Sequence, residues 1–397
     1  MTHIMETQEW TCELPHAGTQ AIGTQGIAAA TTPRTEKIPL YQPCFAGREK
    51  EYVNQCLDST WISSKGEFIG RFETQFARYI GAQFGTSVCN GTVALHLALV
   101  ALEIGPGDEV IVPTLTYVAS VNTILQAGAT PVFVDSVEGT WQIDAEDVRS
   151  KIGPKTRAIM AVHLYGLPCD MDALSALCRE HDLLLIEDCA EAFGTYYKGR
   201  HVGTFGDIST FSFFGNKTIT TGEGGMVVSS RPEVINKAFH LKTQGVSPTR
   251  EYWHDVVAYN YRMTNICAAI GLAQLERADS IIAKKREIAE WYRARLRGLP
   301  LRMHEETADA VHSFWLCSLV LDAAAHREPL RARLAAHGIE TRPLFHPAHI
   351  LPHCATGQKF PVAESLSARG INLPSYPDLT QSQVWFICDE IHRYFHT

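Results

Sequence analysis

The chain has 397 residues, 45% hydrophobic and 20% charged, a balance that suits a packed globular protein and excludes disorder over most of its length. Its 35 basic and 43 acidic side chains give a formal charge of -8, so no global attraction to nucleic acid or anionic lipid is expected. Eleven cysteines, odd in number and without a C-x-x-C pair, and the lack of a secretory leader or bilayer-length apolar run, point to a reduced cytoplasmic setting.

Residues 1–36, rich in Thr, Ala, Gly and Gln and without a sustained period, read as a mobile N-terminal extension. Length predicts a large domain, placed at 37–275, followed at 276–397 by an interdomain helix and a small C-terminal domain. After Asn90-Gly91-Thr92, the spacing of Val93, Leu97 and Val100 predicts a helix that opens at this tripeptide. Short β-branched or apolar runs at 109–112, 131–134, 158–162 and 183–186 alternate with helical stretches. That pattern predicts an α/β fold with a mostly parallel central sheet. Strands at 207–213 and 225–228 flank a glycine-rich loop at 215–224. From Asn265 the apolar positions, through Leu272, Ile281, Ile288 and Tyr292, predict a long helical stretch. The last hundred residues mix a strand at 315–321 with helices at 330–337 and 382–394, as a small α+β domain would.

Four segments carry chemistry. Ser212-Phe213-Phe214-Gly215-Asn216-Lys217 presents a lysine at a strand end. A charged amine is a poor nucleophile, but beside an aldehyde in a partly dry pocket it forms an imine and shuttles protons. Taken alone, Lys217 reads more readily as a solvated surface lysine in a glycine loop. Glu187-Asp188-Cys189-Ala190-Glu191 follows an apolar strand. An acid there can pair with a protonated pyridine nitrogen, with Ala190 small enough for a flat ring to lie on it, or it can simply cap a helix. The amides of Gly91 and Thr92 at a helix start, with the Ser212 hydroxyl, suit a phosphate. Tyr117, just past the first of these runs, suits a ring-stacking residue or ordinary core. All four fall at successive strand ends, where open α/β sheets bind ligands.

In this order the segments resemble the nucleotide-sugar aminotransferases of the DegT and StrS group. The likeness runs from about Ile38 to the C-terminus and is most specific at 57–66, 162–166, 211–226 and 259–265. It implies a fold-type I transferase dependent on pyridoxal 5'-phosphate, with Lys217 as the Schiff-base lysine and Asp188 as the partner of the ring nitrogen. Tyr117 would stack on the ring, while Gly91, Thr92 and Ser212 would hold the phosphate. Asn260 would reach the same phosphate from a neighbouring subunit, which implies a homodimer with shared active sites. Glu191 stands where Gln is frequent in the group, so it is counted as cofactor-binding with its contact left open. Related 3-dehydratases carry His in place of the lysine, so Lys217 favours amino transfer. The implied reaction moves the amino group of L-glutamate to C4 of GDP-4-keto-6-deoxymannose, giving GDP-perosamine, an O-antigen precursor of lipopolysaccharide. The alternatives are a UDP- or dTDP-linked keto sugar, or a non-catalytic regulatory protein that binds the cofactor. Expected substrate contacts are Trp61, Ser63, His163, Glu223, Arg262, Arg342 and His346, with Arg262 suited to the diphosphate. No metal is expected.

Overall fold

A computed structural model describes residues 37–396, so the expected extension at 1–36 lies outside the described residues. The central sheet has seven strands: β1 (Phe84–Val88), β2 (Glu109–Pro113), β3 (Thr130–Val134), β4 (Thr156–Val162), β5 (Leu184–Asp188), β8 (Ile208–Ser212) and β9 (Gly225–Ser229). Between β5 and β8 lie two short strands, β6 (Tyr196–Tyr197) and β7 (Arg200–His201). The spatial order is β1-β9-β8-β5-β4-β2-β3, and only β9 runs against the others. Burial on both faces explains the apolar strands. In β2, Val110 and Val112 pack into one core and Ile111 into another. In β4, Met160 and Val162 face the first core and Ile159 and Ala161 the second.

The predicted parallel strands are all present, within two residues of the expected ends. The edge strand β1 was not anticipated; it pairs with β9 and so puts Asn90 beside the β8–β9 hairpin. The helix Gly91–Ala101 opens where predicted, with the Asn90 side chain accepting the Val93 N–H at 3.0 Å. The expected long helical stretch is instead two helices, Asn265–Leu275 and Ala278–Leu296, because Arg277 leaves helical geometry at φ -111°, ψ 8°.

The second sheet is wholly antiparallel: β10 (Leu301–Met303), β12 (Cys317–Leu321), β14 (Gly370–Leu373) and β13 (Arg342–Pro343), in that spatial order. Helices 278–296, 327–336 and 381–396 flank it, and Ile288, Leu319, Leu330 and Ile387 share its core. The remaining short strand, β11 (Ala310–Val311), pairs with β6. The strand expected from Trp315 begins only at Cys317, which leaves Trp315 free to reach the end of the central sheet.

Candidate active site

The C-terminal ends of β1, β2, β5 and β8 open onto one cavity of about 700 Å³, closed on a further side by Trp315 and Phe345. At one end lies the start of helix 91–101. Val93 N–H is taken by the Asn90 side chain and Ala94 N–H by the Asn90 carbonyl. Gly91 and Thr92, as the first two helical residues, have N–H groups with no intrahelical acceptor. A Cβ on Gly91 would lie 2.6 Å from Ser212 Cβ and 2.9 Å from its Oγ, so only glycine lets the helix end abut the serine. Two free amides, a hydroxyl and the positive end of a helix form a cradle suited to a phosphate.

Asp188 is the last residue of β5 and is 5% exposed. Its Oδ2 accepts the Ser120 hydroxyl at 2.8 Å, and its Oδ1 accepts Ala190 N–H at 3.1 Å. Ser120 Oγ lies 2.9 Å from Thr116 Oγ1. Burial pushes the Asp188 carboxyl upward, and these donors and Lys217 oppose it. A buried carboxylate in that state gains most from a cationic partner, which a protonated pyridine nitrogen would supply.

Lys217 lines the same cavity. Its Nζ lies 3.9 Å from Glu191 Oε1 and 3.9 Å from the centre of the Trp315 ring. Burial lowers the affinity of the amine for its proton, and the charges of Glu191 and Asp188 raise it. Glu191 is pushed up to about 7 by burial, opposed by Lys217 and by the Tyr165 N–H that its Oε2 accepts at 2.8 Å. The loop is clamped from outside the hairpin: Tyr41 donates its hydroxyl to the Lys217 carbonyl, and Trp315 Nε1 donates to the Asn216 carbonyl at 2.7 Å. Asn216 lines the cavity, and its buried Oδ1 has no hydrogen-bond partner among the described residues, leaving an acceptor for a ligand.

The structure brings Gly91, Thr92, Tyr117, Asp188, Ala190, Glu191, Ser212, Lys217 and Glu223 to this one cavity. Tyr117 is 56% exposed with its ring 5.5 Å from that of Phe345, so it stands on the cavity wall and not in the core. His163 does not fit its expected substrate role. It is fully buried and absent from the cavity wall, with Nδ1 accepting Cys169 N–H at 3.1 Å and Nε2 facing Glu187 Oε2 at 3.1 Å. Trp61, Ser63, Asn260, Arg262, Arg342 and His346 also lie off the wall of the cavity in their own chain. Asn265 holds the first two by their carbonyls, at 2.7 Å and 2.6 Å. Arg262 donates to Asn260 Oδ1 at 3.1 Å, and Arg342 to Glu340 at 3.0 Å. Trp315, Phe345, Tyr41, Ser120 and Asn216 were not singled out in the sequence. Asn216 lies within the lysine segment itself, Phe345 stands beside His346, and Ser120 comes three residues after Tyr117.

A family model described as the DegT/DnrJ/EryC1/StrS aminotransferase family matches residues 43–392. The chain belongs to that family. It is 58% identical over 359 residues to a GDP-perosamine synthase of Escherichia coli O157:H7, covering 90% of this chain and 98% of that one. It is 57% identical over 364 residues to a GDP-perosamine synthase of Vibrio cholerae, covering 90% and 99%. Among solved structures, DesV of S. venezuelae has a TM-score of 0.84 at 34% identity, covering 88% of this chain and 95% of that one. Spr1654 of Streptococcus pneumoniae in its PLP form has a TM-score of 0.86 at 28% identity, covering 91% and 99%. The chain is therefore a pyridoxal-phosphate-dependent aminotransferase of fold-type I, and the anion cradle, the buried acid and the buried lysine of its cavity fit that cofactor. No helix among the described residues is long and apolar enough to cross a membrane.

Proposed function

We propose that the chain transfers the amino group of L-glutamate to C4 of GDP-4-keto-6-deoxymannose, giving GDP-perosamine in the cytoplasm. The observation that carries this reading is one cavity holding Lys217, Asp188 and the Gly91–Ser212 cradle, in a chain 58% identical to a GDP-perosamine synthase over 90% of its length. All ten described cysteines are free, which suits a reducing compartment.

When bound, pyridoxal phosphate supplies an electron sink for the bond broken at the reacting carbon. The amides of Gly91 and Thr92, with Ser212 Oγ, would hold its phosphate. Asp188, kept in place by Ser120 and Ala190 N–H, would keep a proton on the ring nitrogen. Tyr117 and Ala190 line the cavity where a flat ring would lie between them. Lys217 would bond to the cofactor at rest and, once released, move a proton between the cofactor and the substrate carbon. Trp315 and Phe345 wall the cavity on one side with apolar rings.

We also propose a homodimer in which Asn260 and Arg262 serve the partner's site. Tyr261 lines the cavity of its own chain, and its neighbours on either side are off that wall, as alternation in an extended segment requires.

The test is incubation of the cofactor-loaded enzyme and L-glutamate with GDP-, UDP- and dTDP-linked 4-keto-6-deoxy sugars, read by product mass. The expected product is the GDP-linked 4-amino sugar. Turnover confined to a UDP- or dTDP-linked sugar would overturn the choice of nucleotide, and bound cofactor without turnover on any of them would overturn the enzymatic reading.

A further inference from the structure

Lys217 has to be an ammonium at some points of a transfer cycle and a free amine at others, so what surrounds its Nζ sets how readily it changes. Two groups meet it at the same distance. Glu191 Oε1 lies 3.9 Å away, and the face of the Trp315 ring lies 3.9 Å away, measured to its centre. Trp315 is 4% exposed, and its orientation is over-determined. Its Nε1 donates to the Asn216 carbonyl at 2.7 Å, one residue before the lysine, and its ring stacks on Tyr165 at 6.1 Å with 7° between the planes. Tyr165 in turn donates its N–H to Glu191 Oε2 at 2.8 Å. The ring and the carboxylate are thus linked through one residue and point at the same amine.

We propose that the indole face of Trp315, together with Glu191, forms a seat for the Lys217 amine whenever it is not covalently engaged, and that Trp315 thereby helps to keep the released amine protonated. The proposal rests on Lys217 being the reacting lysine. An aromatic face attracts a cation through the ring quadrupole, most strongly when water is excluded, and it does not attract a neutral amine. Trp315 therefore favours the ammonium against the burial that disfavours it. The titratable groups of the surrounding elements are Asp188 at the end of β5 and Glu191 just past it, Glu223 in the glycine loop, Tyr117, Tyr261 and His96 on the cavity wall, and the phenols of Tyr41 and Tyr165. Of these, Glu191 and Asp188 are the charges that act on Lys217. Trp315 adds an uncharged contribution of the same sign, which persists when Glu191 takes up a proton.

The experiment is competitive trace acetylation of the cofactor-free, full-length protein over a pH series, with the reactivity of Lys217 read by peptide mass. Two proteins are compared with the wild type: Trp315→Leu, and wild-type sequence in which trifluorotryptophan replaces tryptophan, keeping ring shape and N–H while weakening the quadrupole. The expected result is a reactivity midpoint lower by about one pH unit in Trp315→Leu, with a smaller shift in the same direction for the fluorinated protein. A merely structural role predicts no shift in the fluorinated protein. A wild-type midpoint in a folded Trp315→Leu overturns the proposal, and should that variant not fold, a wild-type midpoint in the fluorinated protein does so alone. Whether Lys217 carries the cofactor is read separately, from loss of the bound cofactor's visible absorbance in Lys217→Ala. If that absorbance survives, the assignment of Lys217 fails while the amine titration still reports on the seat.

Discussion

Replacing Glu191 by Gln removes one charge and almost no volume, which makes it a clean perturbation of the Lys217 amine. The amide oxygen can still accept the Tyr165 N–H, so the turn that carries Tyr165 keeps its tie. At the observed separation of 3.9 Å, and with the effective screening found for most buried sites, a full carboxylate stabilises the ammonium by about 4 kcal/mol, or about three pH units. Glu191 itself titrates at about 7, so the full effect is present only above that pH and fades below it as the carboxyl takes up a proton. The sign follows directly. Burial already lowers the proton affinity of Lys217 and Glu191 opposes it, so the substitution lowers the affinity further. In the cofactor-free protein, the midpoint of Lys217 acetylation should fall by one to three units, roughly, and any inflection near neutral pH should vanish. The change should exceed that from Trp315→Leu, because a full charge at this distance outweighs a ring face. A midpoint within about 0.3 units of wild type would mean that water screens the pair far more than its burial allows, and the electrostatic account of the site would fail.

The shared-site proposal predicts complementation. Heterodimers of Lys217→Ala and Asn260→Ala chains, co-expressed with two affinity tags, should reach about half of wild-type activity, since one of the two sites is intact; activity no higher than the mean of the two parent homodimers would place Asn260 in its own chain. The fold should also be acid-sensitive through a buried histidine relay. Phe314 N–H donates to His312 Nδ1 at 2.9 Å, His312 Nε2 faces His304 Nδ1 at 3.2 Å, and His304 Nε2 donates to the Thr140 carbonyl at 2.7 Å. Burial lowers His304 to about 4, opposed by the Thr140 carbonyl, so the unfolded chain takes the proton first; the stability is present above the unfolded value near 6.5 and is lost as pH falls from there toward 4. His304 alone should cost about 2 kcal/mol between pH 7 and pH 5, read by urea unfolding, and an equal pH dependence in folded His304→Gln would refute this.

The residues that were legible in the sequence are those whose chemistry is announced by type and by position along their own strand. Lys217 sits at the end of a strand in a glycine loop, Asp188 ends an apolar run, and Gly91 opens a helix, so each could be read from about ten neighbouring residues. His163 looked similar, following the β4 run directly, but its ring is turned to Glu187 and the amide of Cys169, and being near a strand end does not say which way a side chain points. Trp315 was illegible for the opposite reason. It is 98 residues from Lys217 in the chain, it was read as part of a strand that in fact begins at Cys317, and it meets Asn216 only through tertiary packing. β1 and β14 were missed because each is short and carries a glycine, which blurs a two-residue period.

Trp61, Ser63, Asn260 and Arg262, four of the candidates off their own cavity wall, share a further distinction. Trp61 and Ser63 are bound through their carbonyls by Asn265, and Asn260 and Arg262 precede that same residue in the chain by five and three positions. Leu57, Trp61 and Ile62 expose large apolar surfaces, at 54%, 55% and 47%, where an isolated chain would gain by burial. The resemblance assigns Asn260 to a neighbouring subunit, and packing within one chain is indifferent to residues that serve another. Under the proposed homodimer, the residues gathered around Lys217 are those one chain provides, and Asn260 and Arg262 are what it would lend to its neighbour.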